Sequence, residues 1–266
     1  RLMRVDTIQL AGFRNYDLAR ADFDPGVNVI TGENAQGKTN LLEAIYLLTV
    51  GHGFRTRFDR ELIGFDRDQC EITAGIQACG REQHLRFLLR RGQRKQIWRN
   101  GVREKAAELS ESLTAVLFCP DDLHLLREGA GARRRMLDMA ICQLRPGYQS
   151  LIREYNRVYE SKTRILRDWR EKPSLLDSLE EYDMLLCRLG ARILRYRAAF
   201  ARRLNEAAAL VHRDFSGGRE VLQLAYVTVR TVTDPTAPAE TLAAQLWEHL
   251  ISHREAERAA GLCLSG

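Results

Sequence analysis

Lysine is scarce in this chain: Lys38, Lys95, Lys105, Lys162 and Lys172 are the five, and the rest of the 41 basic side chains are arginine. Arginine's planar fork suits phosphate recognition, although a GC-rich coding sequence produces the same bias without functional meaning. Long apolar runs are missing. Nothing approaches the ~20 residues that a bilayer-spanning helix needs, so no membrane partner is expected. No secretory-type apolar stretch follows the first residues, and a cytoplasmic location is the expectation. The six cysteines, Cys70, Cys79, Cys119, Cys142, Cys187 and Cys263, form no C-x-x-C pair and have no histidine at ligand spacing, which argues for buried thiols over disulfides or zinc. Internal repeats and low-complexity tracts are absent. What remains is 266 residues with 45% hydrophobic and 29% charged side chains and a net charge of +6, the profile of a soluble globular protein of one large or two ordinary domains.

Hydrophobic periodicity divides the chain. Two strands are expected within residues 3–31: one opened by Val5, Ile8 and Leu10, the other a short run of Val27, Val29 and Ile30 after the Pro25-Gly26 turn. A helix over about 39–49 carries Leu41, Leu42, Ile45 and Leu48 on one face. Between Cys70 and Val102 the period changes to two, with Gly92-Gln93 and Asn100-Gly101 as turns, which predicts an antiparallel meander. Beyond Pro120 helices are expected over 130–143, 147–170, 174–214 and 239–260, with a strand over 223–232. The predicted fold class is α/β: a sheet-bearing part with an antiparallel β meander over 1–120, and a mostly helical second part over 121–260.

The sharpest motif is Gly32-Glu33-Asn34-Ala35-Gln36-Gly37-Lys38-Thr39, which matches G-x-x-x-x-G-K-[ST] between an expected strand and an expected helix. Two glycines let the backbone wrap closely around a phosphate chain with amide hydrogens pointing inward. The helix N-terminus adds its positive dipole end, Lys38 reaches the β- and γ-phosphates, and the Thr39 hydroxyl sits on Mg²⁺. ATP and Mg²⁺ are the expected cofactors. A carboxylate partner for the metal is harder to find. Asp121 and Asp122 follow the apolar run Val116-Leu117-Phe118, but Pro120 intervenes and a cap on a helix beginning near Leu123 is the simpler reading. Phe215-Ser216-Gly217-Gly218 and Leu264-Ser265-Gly266 resemble the L-S-G-G-Q signature of ABC ATPases. The first is explained as a helix C-cap, and the second ends with the chain. The nucleotide-binding subunit of an ABC transporter is the alternative function, and it calls for that signature in full.

Several segments together resemble the RecF family of bacterial DNA replication and repair ATPases. Gly12-Phe13-Arg14-Asn15-Tyr16 matches its F-R-N-Y. The loop followed by Asn40-Leu41-Leu42-Glu43-Ala44 matches G-x-N-x-x-G-K-T-N-[LI]-[LI]-E-A. Gly53-Phe54-Arg55-Thr56, Phe118-Cys119-Pro120-Asp121-Asp122-Leu123 and the stretch 129–138 resemble further family motifs. The resemblance implies an ATPase lobe with a helical insertion, and a return strand beginning within 261–266. It implies ATP-dependent DNA binding in recombinational repair, replication restart and the SOS response. It further implies an ATP-dependent homodimer, mediator partners of the RecR and RecO type, and recombinase loading at gaps between single- and double-stranded DNA. Asn34 shapes the loop, and Arg14 and Asn15 reach the nucleotide from the first strand. The signature and second acidic motif of the family do not occur in these 266 residues, so no hydrolysis is expected from them.

Arginines supply the candidate DNA contacts. Arg188, Arg192, Arg195 and Arg202 form one stripe of a helix, with Arg197 and Arg203 nearby and no acid between Asp183 and Glu206. Such a stripe gives salt-sensitive, sequence-independent binding, or forms a solvated face paired with acids of a neighbouring helix. The meander cluster Arg90, Arg91, Arg94, Lys95, Arg99 and Arg103 reads more simply as an exposed hairpin. Arg55 and Arg57 could face DNA or nucleotide.

Overall fold

The computed structural model describes residues 3–56, 58–125 and 127–264. Arg57, Ser265 and Gly266, and the side chain of Asp121, lie outside the described residues. The chain divides into two compact units, one formed by 1–129 and 142–146, the other by 130–141 and 147–266.

The first unit is built on a six-stranded antiparallel sheet in the order β2-β1-β3-β4-β5-β6. Its strands are β1 (Met3–Phe13), β2 (Tyr16–Asp22), β3 (Gln69–Ala78), β4 (Arg81–Arg90), β5 (Gln96–Arg99) and β6 (Val102–Glu104). Alternation decides the faces. Ile8 and Leu10 of β1, Ile72, Ala74 and Ile76 of β3, Leu85 and Phe87 of β4, and Ile97 of β5 all point to one side. There they pack with Ala44, Leu47 and Leu48 of helix α1 (Lys38–Val50) and with Leu109 and Leu113. The Asn100-Gly101 hairpin forms as read, with positive φ at both residues (51° and 80°) and Arg99 opposite Val102.

Two departures concern strands. The run at Val27, Val29 and Ile30 joins no ladder, and Val27 and Val29 are 91% and 78% exposed. A strand is stabilised by its neighbours, and none pairs with this run among the described residues. Conversely, β2 has few apolar residues and shows no clear period, yet it pairs with β1 from Thr7↔Asp22 to Phe13↔Tyr16. The turn between them is made by Arg14 and Asn15, with Arg14 at φ 54°. At Pro120–His124 the expected helix is only a 3₁₀ turn, in which the Asp122 carboxylate accepts the Cys119 N–H at 2.7 Å.

The second unit is helical. It contains most of α2 (Ala130–Leu144), then α3 (Tyr148–Asp168), α4 (Leu179–Ser216) and α5 (Ala239–Ala260). The start of the predicted 174–214 helix is instead a 3₁₀ segment at Pro173–Ser178, and α4 begins behind it with Glu180 and Glu181 in its first turn. Such acids favour a helix N-terminus. Gly190 lies inside α4 between α3 and α5, where a Cβ would make ordinary contact with Leu246 at 3.4 Å and Tyr155 at 3.5 Å. The expected strand over 223–232 does not form: residues 223–229 have no regular secondary structure, and a turn at 230–231 closes with the Val232 N–H on Val229 O. The segment lies on the helices through Leu224, whose N–H donates to Asn205 Oδ1 at 2.6 Å, and through Tyr226 and Val229 against Ala191, Leu194 and Leu242. Residues 261–264 form no strand.

At the centre of this unit Lys162 is fully buried. Its ammonium lies 2.6 Å from Glu257 Oε2 and 2.9 Å from Asp183 Oδ1, and Arg254 reaches Asp183 at 3.2 Å. Burial opposes the lysine's charge, but the two carboxylates outweigh it, so its pKa stands above the ordinary 10.5.

Candidate phosphate-loop site

The loop leading into α1 is shaped by glycine. Gly37, the residue before the helix, has φ 99°, and a Cβ there would sit 2.7–2.8 Å from the Asn15 side-chain amide and 3.0 Å from the Tyr16 hydroxyl. Asn15 and Tyr16 are the tip of the β1–β2 hairpin. Tyr16 Oη donates to Gly37 O at 3.1 Å, and Asn15 Nδ2 lies 3.4 Å from Gln36 O. Gly32 has φ 148° and Ala35 φ 65°. Residues 32–36 are exposed, so their backbone is open to a ligand. Lys38 folds back over the loop: Nζ donates to Gly32 O and Glu33 O, both at 2.6 Å. Its ammonium therefore stands over the loop, with one of its three donors left for an anion. Thr39 is exposed in the first turn of α1. A triphosphate and Mg²⁺ fit this arrangement: the loop and Lys38 supply donors, and Thr39 supplies an oxygen ligand. Among the described residues no cluster of three histidine, cysteine or acidic side chains stands ready to hold a metal unaided.

Behind the loop runs a polar chain that sequence reading did not find. Asn15 Oδ1 accepts from Asn40 Nδ2 at 2.8 Å, and Asn40 Oδ1 accepts from Arg55 Nη1 at 3.2 Å. Arg55 N–H points to Glu43 Oε1 at 3.3 Å, while Glu43 Oε2 accepts from Arg14 Nε and Nη2 at 3.0 and 2.8 Å. The Glu43 side chain is fully buried. Asn15 and Arg55 are thus brought to the loop, whereas Arg14, expected to reach the nucleotide, has its guanidinium on Glu43. Position along α1 was the available signal: Glu43 is the one charged side chain among its buried residues, where a carboxylate requires a partner. Glu43→Ala is expected to lower stability by about 3 kcal/mol in urea unfolding, because it strands the Arg14 guanidinium.

The arginines sort differently from their spacing. Arg188, Arg192, Arg195 and Arg202 are all exposed on α4, and none forms an ion pair among the described residues. Asp183, the acid that precedes them in α4, is occupied by Lys162 and Arg254. Arg197 turns inward. It binds Asp138 through two bonds of 2.7 and 2.8 Å, and Asp138 also accepts the Tyr148 hydroxyl at 2.6 Å. In the meander, Arg91 bonds the carbonyls of Gly64, Phe65 and Arg67, Lys95 pairs with Asp59 at 3.0 Å, and Arg99 pairs with Glu104. That cluster is largely spent on holding the fold.

Comparison with known proteins agrees with the motifs. The family model described as an AAA domain matches residues 7–185. A DNA replication and repair protein RecF from Symbiobacterium thermophilum is 38% identical over 268 residues, covering 99% of this chain and 70% of that protein. RecF from Agathobacter rectalis is 37% identical over 225 residues, covering 84% of this chain, which spans 62% of that relative's length. Among solved structures, the recombination mediator protein RecF-ATPrS in the RecFOR pathway superposes with a TM-score of 0.93 at 27% identity, covering 99% of this chain and 71% of the other. RecF-ATP of the same pathway gives 0.85 at 28% identity, covering 98% and 70%. The shared motifs, the sheet and helical units, and this degree of identity lead to one conclusion: the chain belongs to the RecF family.

Proposed function

We propose that this chain carries the nucleotide- and DNA-binding part of a RecF-type repair ATPase. The observation that carries the reading is the phosphate loop over residues 32–39, with Lys38 folded over it and the β1–β2 hairpin braced against it through Asn15 and Tyr16. ATP is held by the loop amides and Lys38, with Mg²⁺ on Thr39 and the phosphate oxygens. Bound Mg²⁺ offsets the charge of the phosphates. Asn34 shapes the loop, and Asn15 and Arg55 set its position from behind. The names of the relatives support a role in DNA replication and repair. The RecF-ATP and RecF-ATPrS structures support nucleotide binding. An ATP-dependent homodimer, mediator partners of the RecR and RecO type, recombinase loading at gaps, and a cytoplasmic location complete the reading.

DNA is held through phosphates by Arg188, Arg192, Arg195 and Arg202. These span fourteen residues of helix, about 21 Å, and present their charges on one exposed stripe. Binding of a labelled gapped duplex, followed by anisotropy with Mg²⁺ and ATP across a salt series, tests this. Converting the four arginines to glutamine is expected to reduce the slope of log affinity against log salt by about 3.6, the value for four duplex phosphate contacts. An unchanged slope would remove these side chains from the interface.

A further inference from the structure

The outer face of the sheet, opposite its apolar core, carries a row that no single stretch of sequence displays. The register aligns Arg20 with Gln9, Gln9 with Thr73, Thr73 with Arg86, Arg86 with Trp98, and Trp98 with Arg103. One residue from each of the six strands therefore forms a line of arginine, glutamine, threonine, arginine, tryptophan and arginine. Five inter-strand steps make the line about 24 Å long. Beside it the face is hollowed into a trough of about 550 Å³, lined among others by Thr7, Gly75 and His84. Gly75 lies in the wall of the trough, its bare position taken up by the Thr7 hydroxyl. Its N–H donates to Thr7 Oγ1 at 3.2 Å next to the irregularity between Val5 and Thr7, and a Cβ would sit 2.9 Å from that oxygen. A bare position inside a strand weakens it and often marks the close approach of another molecule.

The side chains around the trough are set in place. Arg86 lies over the Trp98 indole at 4.9 Å and grips Glu71 by bonds of 3.0 and 2.8 Å. Arg20 is fixed to Asp22 at 2.9 Å. Glu82 stands 3.6 Å from His84 on the same face. These acids offset part of the positive charge, while Arg103 is exposed and has no acidic partner among the described residues.

We infer that this face binds single-stranded nucleic acid, with a base stacked at the Trp98–Arg86 layer and phosphates on Arg20 and Arg103. Indole and guanidinium planes accept unpaired bases of any sequence, and flanking cations track the backbone. Duplex bases are already stacked on one another and offer no face to such a platform. The inference deepens the DNA-binding reading and rests on it, but it uses a surface separate from the α4 arginines.

The test measures anisotropy of a labelled oligothymidine and of a fully paired duplex with the 266-residue chain. Trp98→Ala is expected to weaken oligothymidine binding at least about fivefold and to leave duplex binding unchanged. Trp98→Phe is expected to retain most of the affinity. Arg103→Gln, at an exposed position where folding is not at stake, is expected to lower the salt slope on oligothymidine by about 0.7. The α4 arginine variant provides the contrast, losing duplex binding and keeping the Trp98 effect. Oligothymidine affinity that is the same in wild type, Trp98→Ala and Arg103→Gln would overturn the inference and leave DNA binding through α4 standing. Duplex binding without oligothymidine binding would do the same. Failure to bind either nucleic acid would overturn both readings. Equal competition by polyglutamate would assign the face to an acidic protein surface instead.

Discussion

Lys38→Met is expected to weaken Mg²⁺-ATP binding at least about tenfold, and by about a hundredfold if the ammonium contacts two phosphates. A hydrogen bond to a charged group contributes ~1.5–3 kcal/mol, and 1.4 kcal/mol is a factor of ten in affinity. The ammonium now rests on Gly32 O and Glu33 O at 2.6 Å, so an arriving phosphate finds a cation already positioned at the loop. Methionine keeps an unbranched side chain, one atom shorter, and removes the charge and its donors. Isothermal titration measures the affinity directly. Thermal melting adds a control, since ligand at a hundred times its dissociation constant stabilises the folded state by about 2.7 kcal/mol. Wild type is expected to gain that stability with Mg²⁺-ATP, whereas at the same nucleotide concentration the variant gains about 1.4 kcal/mol after a tenfold loss of affinity and about 0.4 kcal/mol after a hundredfold loss. Equal binding by both proteins would reject the assignment of residues 32–39.

The second large effect is on stability, in the helical unit. Lys162→Met is expected to cost about 3 kcal/mol in urea unfolding, because the buried Glu257 and Asp183 carboxylates both lose the ammonium between them and Asp183 keeps only Arg254 at 3.2 Å. Adding Glu257→Gln to Lys162→Met is expected to recover part of the loss, because the buried carboxylate that lost its ammonium is then neutral, while Asp183 keeps Arg254. Glutamine at 257 also keeps an acceptor for the Leu264 N–H, which the carboxylate now holds at 2.8 Å. The pH dependence follows from the raised lysine pKa. The stabilisation is fully present below the ordinary value of 10.5 and is lost as pH rises through the higher folded value, so Lys162 contributes no pH dependence between 7 and 9. A wild-type minus Lys162→Met stability difference that is already zero at pH 8 would show that the triad is not closed in solution.

The phosphate loop was legible because its geometry is local. Eight consecutive residues, with glycine first and sixth and a lysine and threonine where the helix begins, specify a turn that needs little help from distant parts of the chain. The same holds for the Asn100-Gly101 hairpin and for α1, α3 and α5, whose periodicity is carried within each segment. Strand pairing is not local. The Val27–Val29–Ile30 run has the composition of a strand and no neighbour, while β2 has a poor pattern and a secure place beside β1. Composition reports how well a residue fits a sheet; it does not say whether another strand lies alongside.

Charge behaves in the same way. Arg188, Arg192, Arg195 and Arg197 are near neighbours in sequence, yet three face solvent and the fourth closes on Asp138, because the helix turns 100° per residue and neighbours decide what each face meets. The sequence by itself determined the phosphate-binding loop, the division into a sheet-bearing and a helical part, and the family resemblance. Only the tertiary structure decided that Lys162 lies buried between two acids, that Glu43 joins Arg14 to Arg55, and that residues drawn from positions 9 to 103 line up across six strands. The physical reason is that these depend on register and packing between segments far apart in the chain, where a shift of one residue would turn every side chain to the opposite face.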